Sequence, residues 1–62
     1  MQNKLRILLA EKRMTVSDLH NLTGLSKTTL TSIYYERANP KVETIMKIAK
    51  ALNVTFDELL GK

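Results

Sequence analysis

The chain has 62 residues, 44% of them hydrophobic, and carries 10 basic against 6 acidic side chains for a net charge of +4. That length allows a single domain, and a domain of this size buries only ~60% of the surface its unfolded chain exposes, so all elements must share one small core. Cysteine is absent, which excludes disulfides and thiolate metal sites and fits a reducing compartment, while the longest apolar run, Ile7-Leu8-Leu9-Ala10, falls far short of the ~20 residues of a membrane span and follows no signal-peptide pattern.

Repeats, low-complexity segments and linkers are missing, so residues 1–62 read as one unit punctuated at Gly24, Asn39-Pro40, Asn53 and Gly61. These marks separate five short helices. The first is expected over about residues 3–13, where Leu5, Leu8 and Leu9 form one stripe and Ile7 falls on the opposite side. Thr15 reads as an N-cap, with Asp18 three residues on in a near-match to the capping box. The second helix then runs from Val16 to about Thr23 and is expected to bury Leu19 and Leu22. Gly24 supplies the left-handed residue at which a helix stops. Leu25 follows as an apolar plug, and Ser26 caps a third helix to about Tyr35.

Pro40 cannot continue a helix and biases Asn39 away from helical geometry, making residues 37–41 a loop. The fourth helix, Val42 to Leu52, is expected to turn Val42, Ile45, Met46, Ile48, Ala49 and Leu52 inward and to be the most buried element. Asn53 ends it. Thr55-Phe56-Asp57-Glu58 is a capping-box sequence opening a short fifth helix, whose Phe56, Leu59 and Leu60 close the core. No stretch alternates with the period of two that a half-buried strand requires, and the predicted fold is all-α.

The third helix has an unusual outer face. With Lys27 at 0° and about 100° per residue, Thr31 falls near 40°, Tyr35 near 80°, Thr28 near 100° and Ser32 near 140°, opposite a narrow seam of Leu30 and Ile33. Short hydroxyl side chains let a helix approach base edges and phosphates closely, and a threonine methyl can pack on a thymine methyl. The charge agrees: through Lys41 seven basic residues face three acids, whereas beyond it three lysines balance three acids. A positive field confined to the first two-thirds of the chain suits a polyanion there. By these signals alone, a plain solvated helix face stands equally open.

The run from Thr15 to Ile33 resembles the helix-turn-helix of the Cro and C1 phage repressor family. It carries Leu19, the turn Thr23-Gly24-Leu25-Ser26, and the anchoring pair Leu30 and Ile33, with Leu19 lying five before Gly24 where the family leaves four. The similarity continues through Asn39-Pro40, Glu43-Thr44-Ile45, the run from Lys47 to Leu52, and the run from Val54 to Leu60, nearly the whole chain. It implies a compact five-helix lambda-repressor-like domain, with helix-turn-helix over about residues 15–35, whose third helix enters the major groove of double-stranded DNA while the second lies across the backbone. Carried over by position, Lys27, Thr28 and Ser32 read bases with Thr31 and Tyr35 beside them. Thr15, Val16 and Ser17 clamp the backbone from the start of the second helix, and Arg37, Asn39 and Lys41 touch phosphates from the loop.

Departures from the family pattern carry their own expectations. Valine at position 16 replaces a common glutamine, leaving only backbone N–H groups for a phosphate there. His20 stands where alanine lets the two helices cross closely, so it either widens the crossing or turns its ring outward. Leu9 and Tyr34 occupy the positions of a buried arginine–glutamate pair, a substitution that apolar packing tolerates, and are expected to touch. Glu36 takes the place of a helix-ending glycine, so the third helix is expected to run further or to end differently.

The remaining constellations point away from catalysis. Ser17, Asp18 and His20 have the residue types of a triad but lie within one helical turn, pointing in different directions. His20 has no second histidine or cysteine with which to hold a metal, and Gly24 belongs to no phosphate loop. Neither enzyme activity, cofactor, metal nor small-molecule ligand is expected. Ile7, with Val54 and Phe56, reads either as a self-association surface or as scattered exposed apolar side chains. The expected function is a sequence-specific regulator, a phage or mobile-element repressor that occupies a palindromic operator as a homodimer in the cytoplasm of a bacterial or phage-infected cell. The alternative is an antitoxin or adaptor, a protein-interaction module on the same fold.

Overall fold

Three hydroxyl oxygens begin three of the five helices. The computed structural model describes residues 1–61, and Lys62 at the end of the expected domain lies outside them. Thr15 accepts from the Asp18 N–H at 3.1 Å while Asp18 Oδ2 accepts from the Thr15 N–H at 2.9 Å, a reciprocal capping box that opens α2, Val16–Thr23. Ser26 Oγ accepts from the Thr29 N–H and opens α3, Lys27–Tyr34. Thr55 accepts from the Glu58 N–H at the start of α5, Phe56–Leu60, but here the glutamate does not return a bond, so the expected box is only half formed.

The first helix, α1, is Leu5–Glu11, shorter at both ends than the apolar stripe suggested. Asn3 is its starter rather than its first turn: Oδ1 accepts from the Leu5 N–H at 2.9 Å, and Nδ2 donates to the Met1 and Ile33 carbonyls, each at 3.0 Å. The Lys4 N–H donates to the Leu59 carbonyl at 2.8 Å, pinning α1 against α5. The fourth helix, α4, is Val42–Leu52 as its stripe predicts, and lacks a side-chain cap at Lys41.

Helix ends repeat one device. Arg13, Gly24, Glu36 and Asn53 all have positive φ, the left-handed conformation that reverses the chain after a helix. At Glu36 the paired bonds of a Schellman turn are present, Glu36 N–H to the Ile33 carbonyl at 3.0 Å and Arg37 N–H to the Ser32 carbonyl at 2.8 Å. The same pair closes α1, through Arg13 and Met14, which is why that helix stops at Glu11. Glu36 thus adopts the backbone of the glycine it replaces.

The core draws Leu5 and Leu9 from α1, Leu19 from α2, Leu30 and Ile33 from α3, Ile45, Ile48, Ala49 and Leu52 from α4, and Leu59 from α5. With four buried positions α4 is the central element, packed on both α2 and α5, while α2 and α1 each also contact α3. No buried side-chain nitrogen or oxygen among the described residues lacks a hydrogen-bond partner. The helical region spans 26 × 22 × 18 Å, and no described helix is long and apolar enough to cross a membrane.

Three expected core residues are outside it. Leu22 and Val42 are each 61% exposed and Met46 57%. On α2 the covered side chains, Val16, Leu19, His20 and Thr23, span an arc of about 100°, and Leu22 lies about 110° from its centre. On α4 the covered arc runs from Ala51 through Ile48 to Ala49, leaving Val42 and Met46 about 100° and 140° from its centre. Both helices roll so that neighbouring helices cover one shoulder of the apolar stripe and leave the other in water.

Candidate nucleic-acid interface

Hydroxyl side chains crowd the segment from Thr23 to Ser32, and the structure sorts them into two groups. Thr23 Oγ1 donates to the Leu19 carbonyl at 2.8 Å and accepts from the Leu25 N–H at 3.2 Å. Ser26 Oγ donates to Thr29 Oγ1 at 2.8 Å while capping α3. These three are committed to the turn and the helix start. Thr28, Thr31 and Ser32 make no side-chain hydrogen bond within the described residues; the two threonines are exposed and the serine half-buried. The uncommitted hydroxyls are those on the arc opposite Leu30 and Ile33, which are buried.

Lys27 stands exposed at the first turn of α3, and Tyr35 is exposed just past its last turn. The outer face is therefore a strip of one cation, three hydroxyls with free bonding capacity and an aromatic ring. Nothing acidic lies in the first turn of α3 to oppose an anion. Such a strip can donate to and accept from the edges of bases at close range.

His20 on α2 reaches the turn that leads into α3. Its Nδ1 lies 2.6 Å from the Leu25 carbonyl oxygen, a contact that requires the proton on Nδ1. The ring does not turn outward; half-buried, it satisfies a carbonyl of the turn itself. Gly24, at φ +76, completes that turn, its N–H donating to the His20 carbonyl at 2.9 Å. His20 and Asp18 are thus both committed to backbone groups, and the triad residue types do not assemble. No group of three or more His, Asp or Glu side chains among the described residues is placed to hold a metal.

At the start of α2 the carry-over positions divide as well. The Thr15 N–H and hydroxyl are engaged with Asp18, and the Val16 side chain packs against the core. The Val16 and Ser17 N–H groups donate to no partner within the described residues and lie at the positive end of the helix, an arrangement that favours an anion. In the loop after α3, Arg37, Asn39 and Lys41 are all exposed, and Arg37 lies over the Tyr35 ring. Of the suggested self-association residues, Ile7 is exposed and Val54 and Phe56 are half-buried, packed in part against the core.

One residue absent from the sequence reading joins this region. A groove of about 420 Å³ is lined by buried Leu9, half-buried Met14, Val16 and Tyr34, and exposed Arg6, Ala10, Thr15, Thr31 and Tyr35 at its rim. Leu9, buried, and Tyr34, half-buried, both line this groove. Arg6, exposed on α1, stands on the rim with residues from the start of α2 and the second half of α3. Its charge was visible in the sequence, but its place beside α3 depends on how α1 packs.

A family model for the Cro/C1-type HTH DNA-binding domain matches residues 4–61. A search of curated proteins finds no significant match.

Proposed function

The chain belongs to the Cro/C1-type helix-turn-helix DNA-binding domain family, and on that premise we propose that it is a sequence-specific transcriptional regulator, a repressor of phage or mobile-element type that occupies an operator in double-stranded DNA. The observation that carries this is the sorting of hydroxyls on α3: Thr28, Thr31 and Ser32 keep their bonding capacity on the outer face while their neighbours spend it internally. Lys27, Thr28, Thr31 and Ser32 read base edges, with Tyr35 at the margin of the strip. The free N–H groups of Val16 and Ser17, the side chains of Ser17, Arg37, Asn39 and Lys41, and Arg6 at the rim hold phosphates on either side, with Thr15 fixing the helix start between them.

Size argues for two copies. The longest extent of the domain is 26 Å, less than the ~34 Å between half-sites one helical turn apart, so two copies fit side by side on one face of a duplex. The operator is accordingly a palindrome bound by a homodimer, in the cytoplasm where that DNA resides. The exposed pair Val42 and Met46 on α4 favours a second reading, an antitoxin or adaptor that docks a protein.

Selection of bound duplexes from a random pool tests the first reading: an enriched palindrome supports it, and recovery of none refutes it in favour of the protein-docking module. In the selected site, Thr28→Ala and Ser32→Ala should each relax the preference at one base position. Lys27→Ala should weaken binding. A reading face unaffected by all three substitutions would be misassigned.

A further inference from the structure

The end of α3 carries an arrangement that base reading does not use. The rings of Tyr34 and Tyr35 meet edge to face, centroids 4.9 Å apart and planes at 74°. The guanidinium carbon of Arg37 lies over the Tyr35 ring, 5.3 Å from its centroid. Tyr34 is half-buried against the core, so the stack is anchored in the domain at one end and terminates in a charge at the other. The left-handed Glu36 and the bond from the Arg37 N–H to the Ser32 carbonyl fold the chain back, and this brings Arg37 onto the ring two residues before it.

A guanidinium stacked on an aromatic face keeps its N–H edge free, and that edge matches the paired oxygens of a phosphate. An unsupported arginine must give up much of its rotamer freedom to make that pair; one already resting on a ring gives up less. The stacking uses the ring and leaves the phenol oxygen without a part. We infer that Tyr35 is a positioning residue whose ring holds the Arg37 guanidinium beside α3, where it pairs with a backbone phosphate at the edge of the major groove. This rests on the proposed binding of duplex DNA through α3.

The test measures duplex affinity across a salt series for the full chain and for Tyr35→Phe, Tyr35→Ala, Arg37→Ala and the Tyr35→Ala/Arg37→Ala pair, using the selected duplex and versions with one base pair changed. Proton spectra of the free proteins report the ring-current shift of the Arg37 side chain. Tyr35→Phe should keep wild-type affinity, base preference and ring-current shift. Tyr35→Ala should abolish the shift and weaken binding about two- to fivefold, as loss of an exposed cation–π contact implies, with base preference unchanged. Arg37→Ala should lower the salt slope by about one, and the double variant should bind no more weakly than Arg37→Ala. Additive losses in the double variant, or a changed base preference in Tyr35→Phe, would overturn the positioning role while leaving DNA binding intact. A wild-type chain without duplex affinity would instead refute the DNA reading itself, a failure that the free-protein spectra separate from loss of the stack.

Discussion

The side-chain amide of Asn3 donates to the Ile33 carbonyl at 3.0 Å, joining the segment ahead of α1 to the last turn of α3. The same side chain starts α1 through the Leu5 N–H, and the Asn3 N–H reaches Glu36 Oε1 at 3.4 Å. Beside it the Met1 ammonium donates to the Ala38 carbonyl at 2.9 Å and the Glu36 carbonyl at 3.2 Å. The position of the proposed reading helix is thereby tied to residues thirty and more places earlier in the chain.

Loss of this clasp should be measurable in stability. Asn3→Ala removes a helix-starting acceptor and leaves the Ile33 carbonyl with only its turn bond, so unfolding in urea should show a loss of about 1–2 kcal/mol. Asn3→Asp retains the acceptor without the donor and should fall between Asn3→Ala and wild type. An unchanged midpoint for Asn3→Ala would mean that the clasp contributes nothing.

The helix ends offer a paired comparison. Glu36 adopts φ +60, a conformation that costs a side-chain-bearing residue about 1–2 kcal/mol, so Glu36→Gly should raise stability by about 0.5–1 kcal/mol despite the entropy of glycine in the unfolded chain and the loss of the long, exposed bond from the Asn3 N–H to the Glu36 carboxylate. Gly24→Ala should do the reverse, costing about 1 kcal/mol. A Cβ there would meet nothing within 4 Å, so the whole loss comes from the backbone at φ +76. Thermal melts of the two variants shifting in the same direction would contradict this account.

The two capping sequences differ in a way that substitution can read. Asp18 and Glu58 both sit in the first turn of a helix and both favour its positive end, but only Asp18 bonds the N–H of the capping threonine. Asp18→Ala should therefore cost about 1 kcal/mol and Glu58→Ala less than about 0.5 kcal/mol. Equal losses would show that charge near the helix start, and not the reciprocal bond, is what matters.

Arg6 supplies a prediction for binding. Placed on the groove rim beside Thr31 and Tyr35, it should contribute one phosphate contact. Arg6→Ala should then lower the slope of log affinity against log salt by about one without altering base preference. Lys12→Ala, just past the end of the same helix, serves as a control for general charge. If the two variants behaved alike, the Arg6 effect would be a matter of net charge only.

Residues of local chemistry were legible in the sequence: Thr15, Ser26 and Thr55 as helix starters, Gly24 and Asn53 as stops, and Leu5, Leu9, Leu19, Leu30, Ile33, Ile45, Ile48, Ala49, Leu52 and Leu59 as core. Each of these follows from groups within about four residues of one another or from the helical period, which acts identically in any surroundings. Tertiary packing decided the rest. A period fixes the direction of an apolar stripe but not which shoulder a neighbouring helix will cover, and so Leu22, Val42 and Met46 lie in water. Composition showed many hydroxyls on and around α3, yet only the turn geometry determined that Thr23, Ser26 and Thr29 bond inward while Thr28, Thr31 and Ser32 do not. Glu36 in a left-handed turn, Arg37 laid on Tyr35, and Arg6 brought to the rim from α1 belong to the same class. Each depends on segments meeting across the fold, and the energies that separate such placements are small beside the burial that brings the segments together.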